Sequence, residues 1–90
     1  MSWTSKDPNA VLDFQFDWSA WLSSGETITA SIYLFESATL ELFDESIDGG
    51  FTTFWARGGA AGEVVQITNR ITSSEGRIDD WTRPLRLKER

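Results

Sequence analysis

The residues in this sequence that could do chemistry are mainly carboxylates, because the chain contains no cysteine and no histidine. That absence excludes a disulfide scaffold, a cysteine-based zinc site, a thiol nucleophile, a Ser-His-Asp triad and a histidine-ligated metal. Asp13 and Asp17 form a carboxylate pair of the kind that glycosidases use. On one face of a strand they would lie about 13 Å apart, which is too far for that chemistry. We therefore interpret both as the solvent face of a strand.

Two further segments could hold a small ligand. The acidic run at 44–50, DESIDGG, offers oxygen ligands to a cation but lacks the full spacing of a calcium loop, so we interpret it as a solvated turn. Whether its acidic residues 44–48 bind a cation stays open. The glycines of RGGAAGE at 57–63 have no GKS or GKT ending, so we interpret them as an inter-strand loop. The sequence predicts no enzymatic activity, no cofactor and no bound metal.

Alternation of apolar and polar residues with a period of two predicts that strands must position these groups. Turn signals separate the alternating runs, which gives six or seven short strands. This pattern is typical of a small antiparallel immunoglobulin-like β-sandwich, an all-β fold. We expect a single helical turn near residues 19–22, capped by Ser19. Residues 11–90 are predicted to form one domain, and residues 1–10 an extended N-terminal arm.

The inward faces of these strands give a predicted core. In the run FTTFW, we place Phe51, Thr53 and Trp55 inward and Phe54 outward. The odd step from Ile78 to Trp81 predicts a bulge at Asp79–Asp80 in the last strand. The predicted core residues are Leu12, Phe14, Phe16, Trp18, Trp21, Leu22, Ile32, Trp55, Val65, Ile67, Asn69, Ile71 and Trp81.

Two members of that core raise particular questions. Asn69 lies at an inward position, so it must find hydrogen-bond partners near Trp18 or in the loop of Gly76 and Arg77. Arg77 could also form an ion pair with Asp17 or with a neighbouring residue. The five tryptophans could instead form a carbohydrate platform, although Trp18 shares a face with apolar residues.

Charge is unevenly distributed along the chain. Residues 1–56 carry one lysine and nine acidic residues, a net of −8, whereas residues 57–90 carry seven basic and five acidic residues, a net of +2. The overall net charge of −6 disfavours nucleic acid and anionic membranes as partners. No apolar run approaches the roughly 20 residues of a membrane span, and the N-terminus does not resemble a signal peptide. We expect a soluble protein that stays in the cytoplasm of the cell that makes it.

Partner contacts are predicted at the two ends of the chain. Trp3 precedes Pro8 in a polar arm, where a large aromatic side chain is hard to bury within its own domain. The last strand ends in the basic segment RPLRLKER, at 83–90, with an edge open to pairing. The predicted partner-binding residues are Ser2, Trp3, Thr4, Lys6, Leu85, Arg86, Leu87 and Lys88.

Two ordered blocks of this sequence resemble a known family. The first opens with K-D-P at 6–8 and continues into D-W-S-x-W-L-x-x-G-E-T-I at 17–28; the second has a glycine-rich loop at 58–62 and T-N-R-I-T-x-x-x-G-R-x-D-D at 68–80. They resemble small structural proteins of tailed phages, of the fibre-tail adaptor type. Residues 29–56 show no such resemblance.

The resemblance implies a virion component with an immunoglobulin-like domain, made in the host cytoplasm. Its expected role is that of a non-enzymatic adaptor in the tail or neck, present in several copies, which bridges tail and fibre by contacts with other virion proteins. One alternative is a decoration protein on the phage head, with the major capsid protein as partner. A second alternative is a carbohydrate-binding module, in which exposed tryptophans would form the carbohydrate platform. We expect no nucleic acid and no membrane partner.

Overall fold

The computed structural model describes residues 5–89, and within that range the chain is all-β. The strands are β1 (Ser5–Lys6), β2 (Leu12–Asp17), β3 (Ile28–Leu34), β4 (Leu40–Asp48), β5 (Phe51–Gly58), β6 (Val64–Ser73) and β7 (Ile78–Leu87). Residues 5–89 contain no helix, and hence none that could cross a lipid bilayer.

Seven strands form two sheets, which confirms the all-β prediction and the expected strand number. The larger sheet has the order β1-β7-β6-β3, and the smaller sheet has the order β2-β5-β4. Every pair is antiparallel except β1–β7, which is parallel. The parallel pair places a segment near the N-terminus beside the last strand.

The two sheets enclose one hydrophobic core. Phe16 and Phe54 of the smaller sheet are fully buried, as are Ile67, Ile71 and Leu85 of the larger sheet. Phe16 lies within 6.4 Å of Phe54 and 6.3 Å of Tyr33, centroid to centroid, so the aromatic rings of both sheets meet across the core. Because a domain of this size buries only about 60–65% of its unfolded surface, these rings supply much of its apolar burial.

Strand β3 presents the opposite face from the one we predicted. The pairing of β3 with β6 shifts between Ile28 and Ala30, so Thr29 is an extra residue that inverts the alternation. Ile28 is buried, but Ile32 is 48% exposed, and Ser31 and Tyr33 point inward instead. The prediction that Ile32 lies in the core is wrong for this reason.

Strand β5 also presents the opposite face. Thr52, Phe54 and Ala56 are fully buried, whereas Phe51 and Trp55 are each 37% exposed. The alternation in FTTFWA fits either choice of face, and the larger rings suggested the wrong one. The prediction that Trp55 belongs to the core is therefore wrong.

Two more predicted core residues lie at the margin of the core. Leu12, the first residue of β2, is 39% exposed because it lies at the strand end. Trp81 is 37% exposed, but its ring still contacts Phe16 and Trp18 edge to face at 5.4 Å. Both predictions of burial are wrong, although Trp81 covers the core with one side of its ring.

Three local predictions also differ from the structure. β7 pairs with β6 without a register shift, so no bulge interrupts Asp79–Asp80. The acidic run at 44–50 is mostly strand: β4 continues to Asp48, with a bulge after Phe43, and Gly49 and Gly50 alone make the hairpin turn. Gly49 has φ +61°, the conformation that tight hairpin turns require of glycine.

The segment at 19–22 is a hydrogen-bonded turn and not a helix. The Trp18 carbonyl accepts from the backbone N–H groups of Trp21 and Leu22, at 2.9 and 3.2 Å. The capping group is Asp17, whose Oδ1 accepts from the backbone N–H and the hydroxyl of Ser19. These two bonds lower the pKa of Asp17.

Candidate functional surfaces

A buried amide, Asn69 on β6, connects the two sheets and is fully hydrogen-bonded. Its Oδ1 accepts from the indole Nε1–H of Trp18 at 2.9 Å and from the hydroxyl of Thr52 at 2.6 Å. Its Nδ2 donates to the Ser31 hydroxyl at 2.8 Å and to the Ile32 carbonyl at 3.0 Å. Both donors and both acceptor positions of this amide are therefore used. We call these five residues the Asn69 network.

A second cluster ties the turn after β2 to the start of β7. The guanidinium of Arg77 donates to both carboxylate oxygens of Glu26 and, at 3.1 Å, to the Trp21 carbonyl. Its Cζ also lies 4.0 Å from a ring centroid of Trp21. Glu26 accepts in addition from the backbone N–H of Ser23 at 2.8 Å. Arg77 therefore pairs with Glu26, and not with Asp17 as we had considered.

The electrostatics of this cluster follow from its geometry. The Glu26 side chain is only 1% exposed, so its charge needs internal partners. Hydrogen bonds from Arg77, then from the backbone of Ser23 and the side chain of Ser73, lower the pKa of Glu26 to about 2. Glu26 is consequently ionised in the folded protein at neutral pH.

These two clusters account for most of the distinctive letters of the resembling blocks. Trp18, Trp21 and Glu26 come from the first block, and Asn69 and Arg77 come from the second. Their side chains bind one another across the fold. These motif residues thus contribute to the scaffold.

One end of the sandwich brings the N-terminal segment, the glycine-rich loop and the last strand together. Lys6 is only 2% exposed, and its Nζ donates to the carbonyls of Asp7 and Gly58, at 2.9 and 2.8 Å. Burial lowers the pKa of Lys6, and the nearby carboxylate of Asp7 opposes that effect. The Lys88 backbone N–H donates to the Lys6 carbonyl at 2.8 Å. We call this region the Lys6 end.

The glycines of the loop are required for the close packing of the Lys6 end. Gly58 has φ +80°, and a Cβ there would lie 2.4 Å from the Thr39 carbonyl oxygen. Gly59 has φ +96°, and its Cβ would lie 2.5 Å from a methyl group of Leu87. Glu63 closes the loop by accepting hydrogen bonds from the hydroxyls of Ser37 and Thr39.

The predicted partner-binding residues divide into three groups. Ser2, Trp3 and Thr4 lie outside the described residues. Lys6, Leu85 and Leu87 are buried inside this chain, so their side chains offer no surface to a partner. Leu85 and Leu87 belong to the hydrophobic core, and the pairing of β1 with β7 makes Ser5–Lys6 part of the larger sheet and not of a separate arm. Arg86 and Lys88 are exposed.

Sequence reasoning missed a surface on the outside of the smaller sheet. Phe51 and Trp55 point outward from its central strand β5, and Phe43 of β4 pairs directly with Trp55. The rings of Phe43 and Trp55 are 6.5 Å apart. The signal was present in FTTFW, but alternation alone does not say which of two apolar faces is buried. We call this surface the outer aromatic face.

Carboxylates flank these rings on both neighbouring strands. Asp13 of β2 lies directly opposite Trp55, and Asp48 of β4 lies directly opposite Phe51. Neither carboxylate makes a side-chain hydrogen bond or ion pair with another residue between 5 and 89. Within the same range no three acidic side chains lie close enough to hold a metal ion. The outer aromatic face is therefore acidic without a cation site of that kind.

Fold and sites together define a class of protein: a small all-β domain whose buried polar residues hold its own scaffold together. Its other notable features are two surfaces, the outer aromatic face and the Lys6 end. Comparison with known families then gives a specific assignment. Residues 6–86 match the family described as "Podophage GP4 fiber-tail adaptor protein gp77", and the chain belongs to that family. The match confirms the resemblance to phage adaptors. A search of curated proteins found no match.

Proposed function

We propose that this chain is a non-enzymatic virion adaptor that joins tail and fibre proteins through protein contacts. The observation that carries the proposal is the family match over residues 6–86. The structure supports it because the titratable groups that are buried, Lys6 and Glu26, are engaged in internal hydrogen bonds. Both are therefore occupied in holding the fold together.

The surfaces suited to such contacts lie on the two sheets. Strands β2, β3 and β4 each have only one neighbour among the described strands, so each has an edge available for pairing with a partner strand. The strand order β2-β5-β4 against β7-β6-β3 supports the immunoglobulin-like assignment. We also propose that residues 1–4 extend the interface near the exposed Arg86 and Lys88.

Quantitative mass spectrometry of purified particles, combined with chemical cross-linking, tests this function. We expect about six to twelve copies per particle, cross-linked to tail or fibre proteins, as the cyclic symmetry of a tail requires. Hundreds of copies cross-linked to the major capsid protein would instead support head decoration. Absence of the chain from the particle would refute both.

The contribution of the N-terminus is tested by deletion. Because Ser5–Lys6 belongs to a sheet, the deletion should remove only residues 1–4. We expect the shortened chain to keep its thermal unfolding midpoint and to incorporate poorly into particles. Normal incorporation would refute a role for residues 1–4.

A carbohydrate-binding module is the competing function from a different class. Trp18 is 3% exposed and one face of Trp21 lies against Arg77, so neither offers a free stacking platform. Trp55 is exposed, so a change in the fluorescence of the five tryptophans that is lost in Trp55→Phe would report glycan binding there. A saturable change in Trp55 emission on titration with host surface glycans would favour this competing function.

A further inference from the structure

The outer aromatic face already binds one guanidinium group, and that group belongs to this chain. The Arg57 side chain lies flat against the face, with Cζ 4.3 Å from the ring centroid of Phe43. Its Nε and Nη2 donate to the two carboxylate oxygens of Glu41, at 2.8 and 3.0 Å. A planar guanidinium is thus held by a ring beneath it and a carboxylate beside it, the geometry that favours arginine over lysine.

The same combination recurs twice along β5 with no guanidinium from residues 5–89 on the ring. Trp55 has the carboxylate of Asp13 directly across the ladder, and Phe51 has that of Asp48 directly across on the other side. Each ring is 37% exposed. An exposed aromatic ring beside a carboxylate attracts a cation through both the ring quadrupole and the charge.

The spacing of the two positions is fixed by the strand. Phe51 and Trp55 lie four residues apart on β5, which places them about 13 Å apart on the same face. Two arginines four residues apart on one face of a partner strand have the same spacing. The net charge of −8 on residues 1–56, which include this face, adds long-range attraction for a basic partner.

We propose that the outer aromatic face is an arginine-reading surface, and that its occupant is a virion protein segment presenting two arginines about 13 Å apart. One guanidinium stacks on Trp55 and pairs with Asp13; the other stacks on Phe51 and pairs with Asp48. The inference rests on the proposed function, because it names the chemistry of one partner of the adaptor. It assigns specificity to a surface outside the motif residues.

Titration of the full chain with synthetic strand peptides, followed by NMR of the tryptophan indole N–H resonances, tests the proposal. The probe carries two arginines four residues apart; the control peptide has the same composition with the arginines adjacent, and a third peptide carries lysines instead. We expect the probe to shift the Trp55 resonance and to leave that of the buried Trp18 unchanged. The two other peptides should bind at least about fivefold more weakly, because bidentate, correctly spaced pairing is lost.

The carboxylates are tested by the variant Asp13→Asn/Asp48→Asn, which keeps size and polarity. We expect it to weaken binding of the probe by about fivefold, the loss anticipated for two exposed charge pairs. The matched control Glu75→Gln/Asp79→Asn removes two exposed acids of the larger sheet, one in the turn before β7 and one on β7. It should leave the affinity unchanged. Equal losses in both variants would overturn the proposal, since general charge would then explain binding.

Other outcomes would assign the face differently. The proposal is overturned if the Trp55 resonance does not shift, or if all three peptides cause the same shift. If the chain self-associates without peptide in sedimentation experiments, and Asp13→Asn/Asp48→Asn abolishes this, the occupant of the face is a second copy of the chain. That result would also overturn the proposal. If no peptide binds but the chain is present in particles at the expected copy number, the adaptor function stands and only the arginine proposal fails. If the chain is absent from particles, the adaptor function is refuted whatever the titrations show.

Discussion

Replacing Asn69 with alanine should strongly destabilise the domain. Alanine removes the acceptor of the Trp18 indole N–H and of the Thr52 hydroxyl, and it removes the donor to the Ser31 hydroxyl and the Ile32 carbonyl. Asn69 and Thr52 are 0% exposed and Trp18 is 3% exposed, so water does not replace the lost partners without entering the core.

The magnitude follows from counting the groups left without partners. A buried polar group that loses its partner costs about 1–3 kcal/mol, with the upper part of that range for the rigid indole N–H and the lower part for hydroxyls that can rotate. A small cavity adds to this cost. The expected loss is about 3–5 kcal/mol, against a total of roughly 5–13 kcal/mol for a domain of this size.

Urea unfolding monitored by tryptophan fluorescence measures this loss. With a slope of about 1–1.5 kcal/mol/M, the unfolding midpoint should fall by about 2–5 M. Gln66→Ala, on the exposed face of the same strand, is the matched control and should change stability by less than about 0.5 kcal/mol.

A double-mutant cycle with Trp18→Phe tests the mechanism. Phenylalanine removes the indole donor, so its effect and that of Asn69→Ala should be less than additive by at least about 1 kcal/mol. An Asn69→Ala loss below about 1 kcal/mol, or strict additivity with Trp18→Phe, would refute the reasoning.

Three further predictions follow from other parts of the fold. The pKa of Glu26 is about 2 in the folded protein, well below its unfolded value of 4.5. The contribution of Glu26 to the free energy of unfolding should therefore be fully present above about pH 5 and decrease as the pH falls towards 2. Glu26→Gln should flatten this part of the pH profile. Gly58→Ala should cost at least about 2 kcal/mol, because it combines a positive φ with a backbone clash, whereas Gly62→Ala, with φ +88° in open space, should cost about 1 kcal/mol. Tyr33→Phe should be neutral or slightly stabilising, within about 1 kcal/mol, because the buried Tyr33 hydroxyl makes no hydrogen bond of good geometry among residues 5–89, although the hydroxyls of Ser31 and Thr52 lie near it.

All three predictions are measured by urea or thermal unfolding, and a different outcome would refute each of them. For Glu26, an unchanged slope between pH 2 and 5 in Glu26→Gln would disprove the role of its carboxylate; Glu75→Gln provides the control. Equal costs at Gly58 and Gly62 would show that the clash is relieved by movement of the loop. A loss above about 2 kcal/mol for Tyr33→Phe would reveal a hydrogen bond.

Sequence patterns sufficed where strands pair regularly and failed where they do not. The all-β class and strand number follow from period-2 alternation and turn residues, and the resembling blocks gave the family. β6 pairs with β7 without a register shift, and its buried residues alternate as the sequence does. In β3 the extra residue Thr29 inverts the faces, and a bulge of this kind has no distinct composition.

The candidate surfaces were harder to predict because they depend on which face of a strand is buried. In β5 both faces hold aromatic residues, and the buried face is the one whose Thr52 hydroxyl meets the requirement of Asn69 for a donor. That requirement comes from another sheet and is invisible within the strand. Lys6 likewise reads as an exposed charge in an arm, and only the parallel pairing with β7 buries it.

The Asn69 network also determines how the two sheets are aligned. Apolar side chains would tolerate a sliding movement of one sheet over the other, since dispersion contacts have little directional preference. The two hydrogen bonds that cross to Asn69 Oδ1 from Trp18 and Thr52 are satisfied at one alignment of the sheets, and an offset leaves these buried groups without partners. The outer aromatic face and the Lys6 end are therefore held at a constant separation. In the proposed adaptor function, the domain would therefore act as a spacer of defined length between its partners.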